Sequence, residues 1–256
     1  YRVTPVLQVG ADVGSDNWML ARAIDQFAAD GPLINARGAL VDAALYAWGE
    51  RLFTPLLHSA LATYKSRWDA DFLADRKQVF PDVDFDTLEM ADPDRRSQVR
   101  AYLGAVQAQL ERGGSFLGGA QADSGDIHAW GMVWMIYSAL PDLVPFVEAL
   151  PELVAWYQRV EVLGIGVRED VTIEVAWDAI RSGYTQRLPD TPAEEPLSEW
   201  LGQAVHVSAG SADRGSVAGR LLAVDHEQVV LAVEPLPGFE AQVWFPRFGY
   251  HLSQAG

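Results

Sequence analysis

TPVLQVGADVGSDNWMLARAID, residues Thr4 to Asp25, is the stretch from which the rest of the chain is read. Val3, Val6, Leu7 and Val9 are strand formers and Gly10-Ala11-Asp12 is a turn signal, so Tyr1 to Val13 reads as short strands. A helix follows. Ser15, Asp16 and Asn17 are all competent N-caps, and Leu20, Ile24 and Phe27 recur at helical spacing until Gly31-Pro32 stops the run.

Composition bounds what this start can belong to. The chain has 256 residues, 49% of them hydrophobic, enough for one large domain plus a smaller one with cores of their own, and too many for global disorder. No apolar run approaches the roughly 20 residues needed to cross a bilayer, and Tyr1 to Gly10 has neither a charged leader nor a long apolar core. With no cysteine, disulfides, zinc-thiolate sites and cysteine nucleophiles are excluded, and the cytoplasm is the expected compartment. A formal charge of -16 repels phosphate backbones and anionic lipid surfaces, so neither nucleic acid nor membrane is an expected partner. The chain opens on Tyr1 rather than Met, which points to sequence upstream.

Outward from Asp25, every recognisable segment from about Arg37 to Gly164 is helical, beginning with Val41, Ala44, Leu45, Trp48 and Leu52 on one stripe. Pro55 is expected to kink that helix. Asp92-Pro93 is a helix start, a capping carboxylate followed by proline at the first helical position. Asp123-x-x-Asp126 resembles a capping box ahead of the most apolar helix, in which Ile127, Trp130, Gly131, Trp134 and Met135 share a stripe; this helix is expected to be buried nearly all round. Pro151 separates two shorter helices, and Thr172 caps one more that Gly183 terminates. Tyr184 to Ser198, with Pro189, Pro192 and Pro196, reads as an extended linker. After Trp200 the period becomes alternating, in AVHVSA, VAGRLLAVD, EQVVLAVE and AQVWF, which suggests four or five strands in a small curled sheet or SH3-like barrel.

Few residues carry a chemical signal. No two of His58, His128, His206, His226 and His251 lie at a metal-binding helical spacing, so no metal site is expected. Gly113-Gly114 and Gly118-Gly119 read as helix stops rather than phosphate cradles, and the tryptophans read as core. Thr4-Pro5 ahead of a strand, with Ser15-Asp16-Asn17 opening a helix about ten residues on, admits two readings. One is an edge strand and a helix cap with no further role. The other is a site for a peptide-like anion. If the Thr4-Pro5 bond is cis, the Thr4 backbone turns outward to pair with an extended ligand, the helix amides hold a carboxylate and Asp16 accepts an ammonium, a description that suits a γ-glutamyl peptide.

With these residues the chain resembles a glutathione S-transferase that lacks the first strand-helix-strand-helix portion of its thioredoxin-like domain. Thr4 to Asp25 looks like the second half of that domain, with the family's cis-proline at Pro5 and its acidic-hydroxyl glutathione pair matched by Asp16-Asn17, where Asn17 stands for the usual Ser or Thr. SFLGGAQADSGDIHAW (Ser115 to Trp130) looks like the motif in which a capped helix, with an aspartate at Asp126, organises the helical domain. Phe72 to Pro81, the helical order and Val243 to Tyr250 fit a bacterial branch with an extra small β domain.

The resemblance implies a mainly α protein with a β tail: the second half of a thioredoxin-like domain over 1–31, a helical transferase-type domain over 32–183, a linker over 184–199 and a small SH3-like β-barrel over 200–256. It implies glutathione as co-substrate, held by the Thr4 backbone, Pro5, Asp16 and Asn17, a small apolar electrophile against faces near Tyr46 and Trp130, and a homodimer. The family's thiol-activating Ser, Tyr or Cys lies in the portion this chain lacks, so no catalytic residue transfers to any position here. The competing reading is a non-catalytic binding or interaction protein that uses the C-terminal β domain, and a further one has that domain merely pack and stabilise.

Overall fold

The structure is a computed structural model and describes residues 3–27, 38–89, 92–209 and 215–255. The expected helix stop at Gly31-Pro32, the boundary at 31/32 and the start of the next helix near Arg37 lie outside the described residues. In chain order the elements are β1 (Val6–Val9), β2 (Asp12–Ser15), α1 (Asn17–Phe27), α2 (Ala39–Tyr64), α3 (Ala70–Val79), α4 (Pro93–Leu110), α5 (Ser124–Ala139), α6 (Val144–Glu148), α7 (Pro151–Glu161), α8 (Ile173–Arg181), β3 (Ala204–Ala209), β4 (Ser216–Val224), β5 (Gln228–Leu236), β6 (Phe239–Pro246) and β7 (Tyr250–Gln254). The chain divides into two compact units: Asp25–Arg168, and Tyr1–Ile24 together with Glu169–Gly256.

The helical unit is organised by caps and one buried carboxylate. Asp92 accepts from the Arg95 amide at 3.0 Å, with Pro93 at the first position of α4, as the sequence predicts. At α5 the capping box forms: the Asp123 side chain caps the helix while Asp126 accepts from the Asp123 amide at 3.2 Å. Asp126, fully buried, also accepts from the Leu117 amide and from Trp156 Nε1, both at 2.8 Å, and so ties α5 to the preceding turn and to α7. Burial pushes its carboxyl up from the ordinary range, against these donors, which pull it down.

Leu52, Leu56, Val99, Leu103, Val133 and Ile136 fill the core around this point. The expectation that α5 is buried all round is corrected: Ile127 is 47% and Trp134 51% exposed. With Asp126 fixed inward, the buried face runs through Ala129, Met132, Val133 and Ile136, and the stripe through Ile127 and Trp134 is turned to solvent. Helix α2 continues through Pro55 without a break, and the Ser59 hydroxyl donates to the Pro55 carbonyl at 2.8 Å. No single helix among the described residues is long and apolar enough to cross a membrane.

The second unit is built on a seven-stranded sheet of order β1-β2-β6-β5-β4-β3-β7. All its pairings are antiparallel except β2 with β6, which is parallel with Asp12 opposite Gln242 and Gly14 opposite Trp244. The alternating segments read from the sequence become β3 to β6, and a further strand, β7, follows. Their buried positions, Val205, Val207, Leu221, Val229, Leu231 and Phe245, form one apolar cluster. The sheet is not closed, and the SH3-like barrel is not confirmed: β6, which would have to return to the C-terminal strands to close one, spends its second edge on β2. Residues between Tyr184 and Ser198 are bonded to this sheet. The Tyr184 carbonyl accepts from the Ala11 amide at 2.7 Å, and Thr191 Oγ1 accepts from the Val224 amide at 2.9 Å.

Candidate functional site

The second unit brings Thr4, Pro5, Asp16 and Asn17 together. The β1–β2 ladder begins with Val6 opposite Ser15, so residues 4–5 and 16–17 flank its open end. The closing contact is between backbones, the Asp16 amide donating to the Pro5 carbonyl at 3.2 Å. The Thr4–Pro5 peptide is cis. Thr4, Pro5 and Asn17 are exposed and Asp16 is half-buried. β1 is an edge strand of the sheet, as its sequence suggests.

Of the three competent N-caps, the structure uses Asp16. Its carbonyl accepts the first helical bond, from the Leu20 amide at 3.0 Å, and its Oδ1 accepts from the Trp18 amide at 2.9 Å. The partial positive charge of the α1 N-terminus is thereby directed at the surface carrying Asn17. Asp16 has φ 91, a left-handed backbone rarely adopted by any residue but glycine. Among the groups that hold it there are the Pro5 carbonyl, the Trp18 amide and, on Oδ2 at 3.1 Å, the Tyr250 hydroxyl. Ser15, by contrast, points inward, its Oγ buried without a hydrogen-bond partner among the described residues.

Two contributors to this arrangement have no signal in the sequence. Asp12, read there only as part of a turn, is buried and accepts from the Gln186 amide at 2.5 Å and from Trp244 Nε1 at 2.8 Å. Burial raises its carboxyl above the ordinary range while both bonds act the other way. Arg22 of α1 forms an ion pair with Glu227 in the β4–β5 turn. Their partners lie between 174 and 232 positions away, beyond the reach of any local spacing rule.

In the helical unit, Tyr46 and Trp130 pack in different surroundings. The Tyr46 ring lies 4.7 Å from that of His128, whose Nε2 is 3.3 Å from Glu50 Oε1. Trp130 stacks on Tyr157 at 5.5 Å, with its own N–H buried and without a hydrogen-bond partner among the described residues. Among the described residues, no group of three or more His, Asp or Glu is arranged to hold a metal.

Residues 79–163 match the family model for the glutathione S-transferase C-terminal domain. A GST-like protein from Pseudomonas syringae superimposes on 100% of this chain and 82% of its own, with 25% identity and a TM-score of 0.77. A glutathione S-transferase from Actinobacillus pleuropneumoniae aligns over 62% of this chain and 63% of its own, at 16% identity and a TM-score of 0.40. No match is found among curated proteins. The match over residues 79–163 and the likeness along the whole chain to a GST-like protein support the glutathione S-transferase superfamily for this chain.

Proposed function

We propose that the protein binds glutathione at the open end of the β1–β2 ladder and, when intact, transfers it to a small apolar electrophile, acting as a homodimer in the cytoplasm as relatives of this superfamily generally do. The observation that carries the site is the placement of Asp16. A carboxylate capping α1 sits beside exposed Asn17 and is bonded through its amide to Pro5. That arrangement offers a γ-glutamyl group an acceptor for its ammonium and a helix N-terminus for its carboxylate. The backbone at Thr4, at the start of an edge strand, offers the rest of the tripeptide a partner in the manner of strand addition. Thiol activation is assigned to no residue of this chain.

Calorimetric titration with glutathione tests the site. The protein is expected to bind, and Asp16→Ala to weaken binding by about tenfold or more, the worth of one charge-assisted hydrogen bond. Equal affinity in the two proteins overturns the residue assignment. Conjugation of glutathione to a chloronitrobenzene, followed by absorbance, tests the transferase half; binding without turnover by the intact protein would favour the non-catalytic reading.

A further inference from the structure

Tyr250 opens the last strand and is 5% exposed. Its ring lies 5.8 Å from that of Phe245, its carbonyl accepts from Arg247 Nη1 at 2.9 Å, and its backbone stands opposite Ala209 of β3. A ring fixed by strand pairing and packing holds its hydroxyl in one place, and that hydroxyl donates to Asp16 Oδ2. The other oxygen of Asp16 is held by the Trp18 amide of its own helix. Donors on both oxygens of a carboxylate restrict its rotation about the Cβ–Cγ bond. A phenol donates to the second oxygen without itself adding a countercharge, and a carboxylate offers about four acceptor sites in all.

We infer that Tyr250 is a positioning residue for ligand binding: a C-terminal strand reaches back to the start of the chain and orients the carboxylate that receives the ligand's ammonium. The inference rests on the glutathione reading above. It gives the C-terminal strands a part in the site itself. The Trp244–Asp12 bond and the Arg22–Glu227 pair tie the same hairpin and helix to those strands.

Tyr250→Phe keeps the ring and deletes only the hydroxyl. Glutathione affinity and Tm are measured for wild type, Tyr250→Phe, Asp16→Ala and the double variant. Tyr250→Phe is expected to weaken binding by about fivefold, the worth of one hydrogen bond, with Tm nearly unchanged, and to cost nothing further once Asp16 is alanine. A merely structural role would lower Tm and weaken binding equally in both backgrounds, which overturns the inference. So does wild-type affinity in Tyr250→Phe while Asp16→Ala is impaired, a result that leaves the site reading standing. No binding by the wild type, or undiminished binding by Asp16→Ala, overturns the site reading and this inference with it.

Discussion

Trp156 donates its indole N–H to Asp126 across 30 positions of sequence, at 2.8 Å and out of contact with water. The bond joins the start of α5 to the middle of α7, and the Leu117 and Asp123 amides donate to the same carboxylate. A buried acceptor serving three N–H groups is costly to remove, because each donor is left without water or partner. Asp126→Ala is therefore expected to destabilise the protein by about 3 kcal/mol or more, read from urea denaturation. Asp126→Asn, which keeps one oxygen, is expected to lose less.

Acid should act differently through Asp92. Its hydrogen bond from the Arg95 amide, with that residue's charge assisting, holds the carboxyl below its ordinary 3.8. The stability so contributed is fully present above 3.8 and is lost as pH falls through the lowered value. Asp92→Asn keeps a good cap but cannot titrate. Its Tm is expected to lie below wild type at about pH 5 and to converge with it toward about pH 2. Asp12 and Asp126, held up by burial, run with the opposite sign: their contribution is complete below 3.8 and declines as pH rises through their folded values.

Gly49 is required where α2 meets α5. A Cβ there would lie 2.1 Å from His128 Cδ2 and 2.7 Å from its Nε2, and the imidazole has Tyr46 beside it. Gly49→Ala is expected to cost about 1–3 kcal/mol, and less in a His128→Ala background. Chemical denaturation of the four proteins measures the coupling.

Asp16→Gly separates the fold from the site. Glycine adopts φ 91 without penalty, which relieves about 1–3 kcal/mol of backbone cost. The lost cap and the lost Tyr250 bond remove a similar amount. Tm is expected to shift little while glutathione affinity falls about tenfold. A large Tm loss would show that the side chain chiefly holds the hairpin.

What the sequence makes legible here is local. Asp92-Pro93 and Asp123-x-x-Asp126 announce their helices because capping is settled within four residues, and AVHVSA announces β3 because alternation is settled within six. The grouping of Thr4 and Pro5 with Asp16 and Asn17 is nearly as local, one short hairpin. The pairing of β2 with β6, the bonds to Asp12, and Tyr250 beneath Asp16 are not, since no spacing rule relates residues 174 to 234 positions apart. The outward turn of Trp134 escaped for another reason: hydropathy says how apolar a helix is, and only the inward anchor at Asp126 says which way it faces.

The parallel strand pairing has a consequence for biosynthesis. Asp12 leaves the ribosome 232 residues before Trp244, so the opening hairpin must wait through translation of the whole helical stretch before its neighbouring strand exists. Such distant closure is slow and leaves an exposed edge meanwhile. The interval in which β2 lacks its parallel neighbour therefore ends only when β6 emerges.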